Sequence, residues 1–270
     1  TMSKLHVLVG LPASGKSTKS KELTKKFNAV IMSSDALRKE LLGDVNDQSQ
    51  NEKLFKELHL RINKLLSEGT DVIYDATNLN RKRRIHLIHN EIKADEYHAY
   101  YFNTSFGKCL HNDSQRERTV GFDVLNRMYL TAQIPTIHEG WNGIEYINQD
   151  FKLSQFYKER LEEILSDEEP SHDYLMEEIS QVIDTFKDVY NVPHDSKYHS
   201  FSISRHIFYV YDFVMKNYKS NRKKEMLVAS LFHDLGKGWS KSFINHKGEE
   251  KRYASYIGHE FVSAQQACYW

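Results

Sequence analysis

The run Gly10-Leu-Pro-Ala-Ser14-Gly15-Lys16-Ser17-Thr18 has the spacing G-x-x-x-x-G-K-[S/T]. Glycines at the ends of such a run let backbone N–H groups curl around phosphate oxygens where a helix begins. Lys16 would then reach the β- and γ-phosphates of ATP, the Ser17 hydroxyl would ligate Mg²⁺, and Ser14 and Thr18 would complete the loop. Such a loop specifies a nucleotide and leaves the acceptor open, so the polar residues that close the other apolar runs matter next. One run ends in Ser33-Ser34-Asp35-Ala-Leu-Arg38. Asp35 is placed there to take a proton from an attacking hydroxyl, and Arg38, one helical turn on, to hold an acceptor phosphate. On a purely structural reading, Asp35 is a helix-start residue beside the cap Ser34. Another run ends in Asp75-Ala-Thr77-Asn78, ahead of Arg81-Lys-Arg-Arg84, a stretch that suits a solvated basic helix start. In the second half, His233-Asp234 closes the apolar run MLVASLF, and His206 opens IFYVYDFVM. Imidazole plus carboxylate suits a divalent ion such as Mn²⁺, Ni²⁺ or Co²⁺, which can generate a hydroxide nucleophile near neutral pH.

These groups can meet only if the elements carrying them end at a common edge. Leu5–Val9, Ala29–Met32, Asp71–Tyr74, His98–Phe102 and Gly143–Ile147 have the composition of short strands. Longer stretches separate them, and one carries Leu54, Phe55, Leu58, Ile62, Leu65 and Leu66 at helical spacing before Gly69 stops it. Alternation of this kind predicts an α/β domain with a mainly parallel sheet, whose ligands sit at the carboxyl ends of the strands. From about Asp150 the pattern changes to helices without strands, over 151–165, 174–190, 206–218 and 225–232. The expected organisation is an α/β P-loop kinase domain over 2–150 and an all-α domain over 151–270, with the boundary near 148–155.

The composition fits two globular domains: 270 residues, 40% of them hydrophobic and 12% aromatic, can bury cores. No apolar run reaches membrane-spanning length and no secretory signal is visible, so a soluble cytoplasmic protein with no membrane partner is expected. Cys109 and Cys268 lie far apart and fit reduced packing residues. Basic and acidic side chains balance at 37 each, so any nucleic acid must be met by local patches rather than a whole-molecule field.

The set GLPASGKST, SSDALRKELLG, VIYDATNLNRKRR and RERTVGFDVLNRM resembles the kinase domain of bacteriophage-type polynucleotide 5′-kinases over about residues 4–147. The resemblance implies that Gly10, Ser14, Gly15, Lys16, Ser17 and Thr18 serve ATP and Mg²⁺, and that Asp35 is the general base on a 5′-hydroxyl. It also implies that Arg38, with Asp75, Thr77 and Asn78, faces the acceptor strand. Arg116 matches the lid arginine, Arg118 is the alternative for that role, and Val120-Gly121 stands where the family has Val-Pro. In the second half, YHSFSISRHIFYV, LFHDLGKG and YIGHEFVSAQQA are similar to the HD phosphohydrolase superfamily. That resemblance implies His206, His233 and Asp234 as metal ligands and His199, Lys237 and His259 as phosphate contacts. The superfamily's later aspartate has no counterpart after Asp234, so the helical domain is expected to be C-terminally incomplete, with a weak metal site.

Together these resemblances imply a kinase of 5′-OH polynucleotide ends, RNA in preference to DNA, joined to a domain that removes 2′,3′-cyclic or terminal phosphates. Two alternatives stay open: a small-molecule P-loop kinase of the zeta-toxin or antibiotic-phosphotransferase sort, and a nucleotide-dependent binding module without transfer.

Overall fold

The computed structural model describes residues 2–148 and 152–270. The expected domain boundary and the expected helix start at Phe151 fall partly on residues 149–151, outside the described residues. The chain forms two compact units, one of residues 1–128 and 132–150 and one of 129–131 and 151–270.

In the first unit, β1 (Lys4–Val9) leads through the glycine-bearing loop to α1 (Lys16–Phe27), then β2 (Val30–Ser33), α2 (Ser34–Leu42), α3 (Asn51–Ser67) and β3 (Val72–Asp75). After these come α4 (Arg81–His86), β4 (Glu96–Phe102), α5 (Phe106–Ser114), α6 (Phe122–Tyr129) and β5 (Gly143–Ile147). All five strands pair in parallel, in the order β2-β3-β1-β4-β5. Leu5, Val7, Leu8 and Val9 have no solvent exposure, as expected of a central strand covered on both faces. On α3, Leu54, Leu58, Ile62 and Leu66 are buried at i, i+4, i+8 and i+12. Register sets the functional edge: Ser33 lies opposite Asp75, so the residues that follow β2 and β3 emerge side by side.

Two local expectations for this unit are corrected. The cap of α2 is Ser33, whose Oγ accepts from the Ala36 N–H at 3.3 Å; Ser34 is already inside the helix. The stretch 81–84 does open a helix with Lys82 and Arg83 in solvent, but it is not solvated throughout, because Arg84 is only 1% exposed. Its Nε and Nη2 donate to the Glu139 carboxylate at 2.8 and 3.1 Å, its Nη1 donates to the Asn78 carbonyl at 2.7 Å, and Arg81 Nε reaches the same carboxylate at 3.2 Å.

The second unit runs α7 (Gln155–Ser166), α8 (His172–Val182), α9 (Ile203–Asn217), α10 (Lys223–Phe232), the short α11 (Lys237–Ser240), β6 (Ser242–Ile244), β7 (Glu250–Ser255) and α12 (His259–Tyr269). Its core gathers Leu175, Met176, Ile179, Phe186, Ile207, Tyr211 and Leu231. The helix expected over 174–190 ends at Val182, because Ile183 turns to φ −125° and ψ 92° and buries its side chain; a 3₁₀ turn over Asp184–Asp188 follows. The unit is also not all-α, since β6 and β7 form an antiparallel hairpin. Its turn is built by Asn245, whose Oδ1 accepts from the Lys247 and Glu249 N–H groups at 2.9 Å each, and by Gly248 at φ +81°.

Glu139 generates a stability prediction. Burial alone would push its carboxyl up, but Arg84, the Thr136 N–H and the Trp141 indole N–H hold it below the usual range. Glu139→Ala leaves the buried Arg84 guanidinium without its partner and should cost about 3–5 kcal/mol at pH 7 in urea unfolding followed by circular dichroism. A lowered carboxyl stabilises above its unfolded value and loses that contribution as pH falls through the folded one. The gap between wild type and variant should therefore narrow as pH drops below about 4.5.

Candidate active site and candidate metal centre

The loop after β1 is shaped for an anion. Ala13 at φ +60° and Gly15 at φ +99° bend the backbone into a concave nest. A Cβ on Gly10 would lie 2.7 Å from Ser14 Oγ and 3.0 Å from Phe102 Cβ, so only glycine fits there. Gly15 caps α1 without a side chain, which leaves the first-turn N–H groups of α1 uncapped by any side chain. The Ser14 hydroxyl is buried without a hydrogen-bond partner, an orphaned polar atom of the kind a bound oxyanion satisfies. Ser17 and Thr18 are exposed at the mouth of the loop. Two residues that the sequence does not single out pin this shape: the Thr104 hydroxyl donates to the Ser14 carbonyl at 2.7 Å, and the Asn112 amide donates to the Ala13 carbonyl at 3.1 Å. A third, Asp113, organises the separate segment after α5.

Lys16 folds onto its own loop, donating to the Gly10 and Leu11 carbonyls at 3.0 and 2.7 Å. Part of its chain is exposed but its ammonium is enclosed. Burial pulls it down to about 8, against the opposing pull of Asp75, Cys109 and Asp35, while Arg116 adds to the lowering. Asp75 itself is pushed up by burial, with Lys16 opposing the shift.

On the acceptor side, Arg38 is buried and donates from Nη1 to Asp35 Oδ1 at 2.9 Å and from Nη2 to Asn51 Oδ1 at 3.1 Å; its Nε is buried without a partner. Arg118 Nη1 lies 3.6 Å from the other Asp35 oxygen, held there by bonds to Asn46 Oδ1 at 2.7 Å and the Val45 carbonyl at 3.2 Å. Two arginines thus flank one carboxylate that is itself 55% exposed. Arg116 instead pairs with Asp113 at 3.6 Å. Thr77 contributes its carbonyl to the Gly10 N–H at 3.0 Å, and the Asn78 amide donates to the Leu8 carbonyl at 2.8 Å, so both tie β3 to β1. The buried Asp113 carboxylate accepts from the Val120 and Gly121 N–H groups at 2.9–3.1 Å. Gly121 sits at φ +82°, and a proline there could neither adopt that angle nor donate. This is the physical reason for Val-Gly at this place.

In the second unit, the ligand atoms of His206, His233 and Asp234 lie within 4.8 Å of one another. His206 Nε2 is 3.2 Å and His233 Nε2 3.4 Å from Asp234 Oδ2, and His259 Nε2 is 3.4 Å from Oδ1. His233 and His259 spend Nδ1–H on the Ser230 and Tyr256 carbonyls, at 2.6 and 2.9 Å. In their neutral forms each therefore aims an Nε2 lone pair at a carboxylate oxygen, an arrangement that needs a proton or a cation between the two acceptors. Asp234 is buried, which opposes its ionisation, yet hydrogen bonds from His206, His259 and Lys237 and the charge of His233 hold it well below the usual range. Lys237, buried, bridges Asp234 Oδ2 at 2.9 Å and His194 Nε2 at 3.3 Å, and His199 stacks on His194 with ring centres 4.4 Å apart. His246 lies apart, exposed in the β6–β7 turn.

A parallel sheet with this loop at its carboxyl edge defines the first unit as a P-loop kinase-like domain, followed by a helical region. Residues 5–135 match the family model described as an AAA domain. The L-seryl-tRNA(Sec) kinase of Methanococcus maripaludis is 28% identical over 167 residues, covering 60% of this chain and 64% of that protein, so the chain spans less than two thirds of this relative. Among solved structures, the Pnkp1/Rnl/Hen1 complex is 25% identical, with 44% of this chain and 42% of that chain covered and a TM-score of 0.38. A gluconokinase from Sinorhizobium meliloti is 14% identical, with 69% and 95% covered and a TM-score of 0.38. No helix among the described residues is long and apolar enough to cross a membrane.

The lowered Lys16 predicts a pH effect on nucleotide binding. Phosphate binding requires the ammonium, so ATP affinity should be flat below pH 7 and weaken by up to about tenfold per unit above 8. Titration with a fluorescent ATP analogue at pH 7, 8 and 9 checks this, and Lys16→Gln should bind weakly with no such slope.

Proposed function

We propose that the first unit transfers the γ-phosphoryl group of ATP to the 5′-hydroxyl of a polynucleotide. The observation that carries this reading is the carboxylate of Asp35, which is gripped by Arg38 and flanked by Arg118 and whose charge is felt at Lys16. Asp35 would accept the hydroxyl proton, and the free Nε of Arg38 leaves that guanidinium a donor for a phosphate of the acceptor strand. Lys16 would exchange its two loop carbonyls for phosphate oxygens, Ser14 would gain a partner, and Arg116 and Arg118 would face the charge that develops on transfer. Bound MgATP would supply the phosphoryl group and a metal held at Ser17. The name of the tRNA kinase relative supports an RNA-linked acceptor.

For the second unit we propose a phosphohydrolase acting on 2′,3′-cyclic or terminal phosphates. His206, His233 and Asp234 would hold a divalent ion such as Mn²⁺, Ni²⁺ or Co²⁺, and that ion would supply an activated water. Lys237, itself held by His194, pairs with the same Asp234 oxygen that faces His206 and His233 and so helps to orient the carboxylate.

Two sets of measurements test these readings. With labelled ATP and matched RNA, DNA and nucleoside acceptors, Asp35→Asn should lower kcat by about 10²–10⁴-fold while ATP affinity stays near wild type. Retention of more than about a tenth of wild-type kcat would remove Asp35 from the reaction. Arg38→Ala should raise KM much more for an acceptor carrying a 3′-side phosphate than for one lacking it; equal effects would make Arg38 structural. For the second unit, calorimetry with Mn²⁺ should show a binding event that Asp234→Ala abolishes, and an unchanged isotherm would remove the metal reading.

A further inference from the structure

The β6–β7 hairpin and the loop over 195–199 enclose a cavity of about 600 Å³ that reaches Lys237 and His259 at the edge of the histidine and aspartate cluster. Its outer wall carries Lys197, Tyr198, Lys251, Arg252 and Tyr253, and no carboxylate lines it among the described residues. In a chain of balanced charge this is a local concentration of cations. Asp195, the nearby acid on the loop, is neutralised by Lys241 at 2.7 Å.

The aromatic groups are placed unlike core residues. Tyr198 is 79% exposed, with Lys197 Nζ 4.9 Å from its ring centre, and the Arg252 guanidinium lies 5.1 Å from the centre of Tyr253. A cation seated on one face of each ring leaves the other face to a further flat group. The walls are tied together: the Ala254 N–H donates to the Asp195 carbonyl at 2.8 Å, and the Tyr256 hydroxyl donates to the His194 carbonyl.

Exposed rings interleaved with lysine and arginine along a groove are the arrangement that binds single-stranded nucleic acid, by stacking bases and tracking the backbone. We propose that this cavity holds the 3′-terminal nucleotides of a single strand, with bases against Tyr198 and Tyr253, backbone phosphates along Lys197, Lys251 and Arg252, and the terminal phosphate toward Lys237 and His259. This deepens the phosphohydrolase reading and rests on it for the identity of the end. It makes the hairpin the element that selects a polynucleotide over a free nucleotide.

The test uses the full chain and a fluorescein-labelled single-stranded ten-nucleotide RNA ending in a 3′-phosphate and carrying 5-iodouridine at its last position. Irradiation followed by peptide mapping should place cross-links in residues 197–199 or 250–256. In anisotropy titrations, Tyr253→Ala and Tyr198→Ala should each weaken binding about fivefold or more, and Tyr253→Phe should stay near wild type because stacking is kept. Lys251→Ala with Arg252→Ala should lower the slope of log K against log salt by about 0.7 for each phosphate no longer neutralised. The first unit is common to all variants, so differences between them report on the groove. Cross-links confined to residues outside these segments, unchanged affinity in both alanine variants, or displacement of the RNA by polyglutamate at lower concentration than by unlabelled RNA would overturn the proposal. These readouts require no turnover: cross-linking without hydrolysis would keep the groove and remove the phosphohydrolase reading. Hydrolysis of a nucleoside 2′,3′-cyclic phosphate, with no effect of the tyrosine variants on the oligonucleotide, would do the reverse.

Discussion

Parallel pairing of β1 with β3 and β4 is the constraint on which the first unit depends. Parallel strands all present their carboxyl ends on one edge, so the loop after β1, Asp35 after β2 and Asp75 at the end of β3 share that edge without any long-range side-chain contact having to bring them there. Tertiary bonds then refine the placement. The Gly10 N–H on the Thr77 carbonyl and the Asn78 amide on the Leu8 carbonyl fix β3 to β1 at the level where phosphates would sit. The buried Arg84 and Glu139 pair secures the segment that follows.

In that sheet, burial on both faces imposes short apolar runs on β1, β3 and the second half of β4, whereas β2 and β5 at the sheet edges are exposed or half-buried along their length. All five strands are legible in the sequence as short runs rich in apolar or aromatic residues. The β6–β7 hairpin is not, because Ser242–Ile244 and Glu250–Ser255 mix charged and aromatic residues on an exposed two-stranded ribbon with no core face to enforce alternation. The break after Val182 is equally hidden, since Ile183 is a core residue whether helical or extended and only the packing decides.

Site residues divide in the same way. Gly10, Gly15 and Lys16 form a local motif whose spacing carries its own geometry. Asp113 acts on N–H groups 7 and 8 residues on, and Glu139 on Arg84, 55 residues away; the Thr136-x-x-Glu139 spacing announces a capping box, but nothing local announces either of those longer-range partners. His233-Asp234 is legible as a pair, but the bridging place of Lys237 between Asp234 and His194 emerges only when α9, α10 and the loop before α9 come together.

The two carbonyl partners of Lys16 set a threshold for an anion at this loop. Its ammonium is already solvated by the Gly10 and Leu11 carbonyls, so an incoming anion must replace two charge-assisted hydrogen bonds, each worth about 1.5–3 kcal/mol, before any net gain accrues. An anion that meets Lys16 through one atom recovers less than it displaces, whereas one with several oxygens can also engage the nest and the unpartnered Ser14 hydroxyl. The two carbonyls therefore act as an internal competitor that raises the number of contacts an anion must make before the loop holds it.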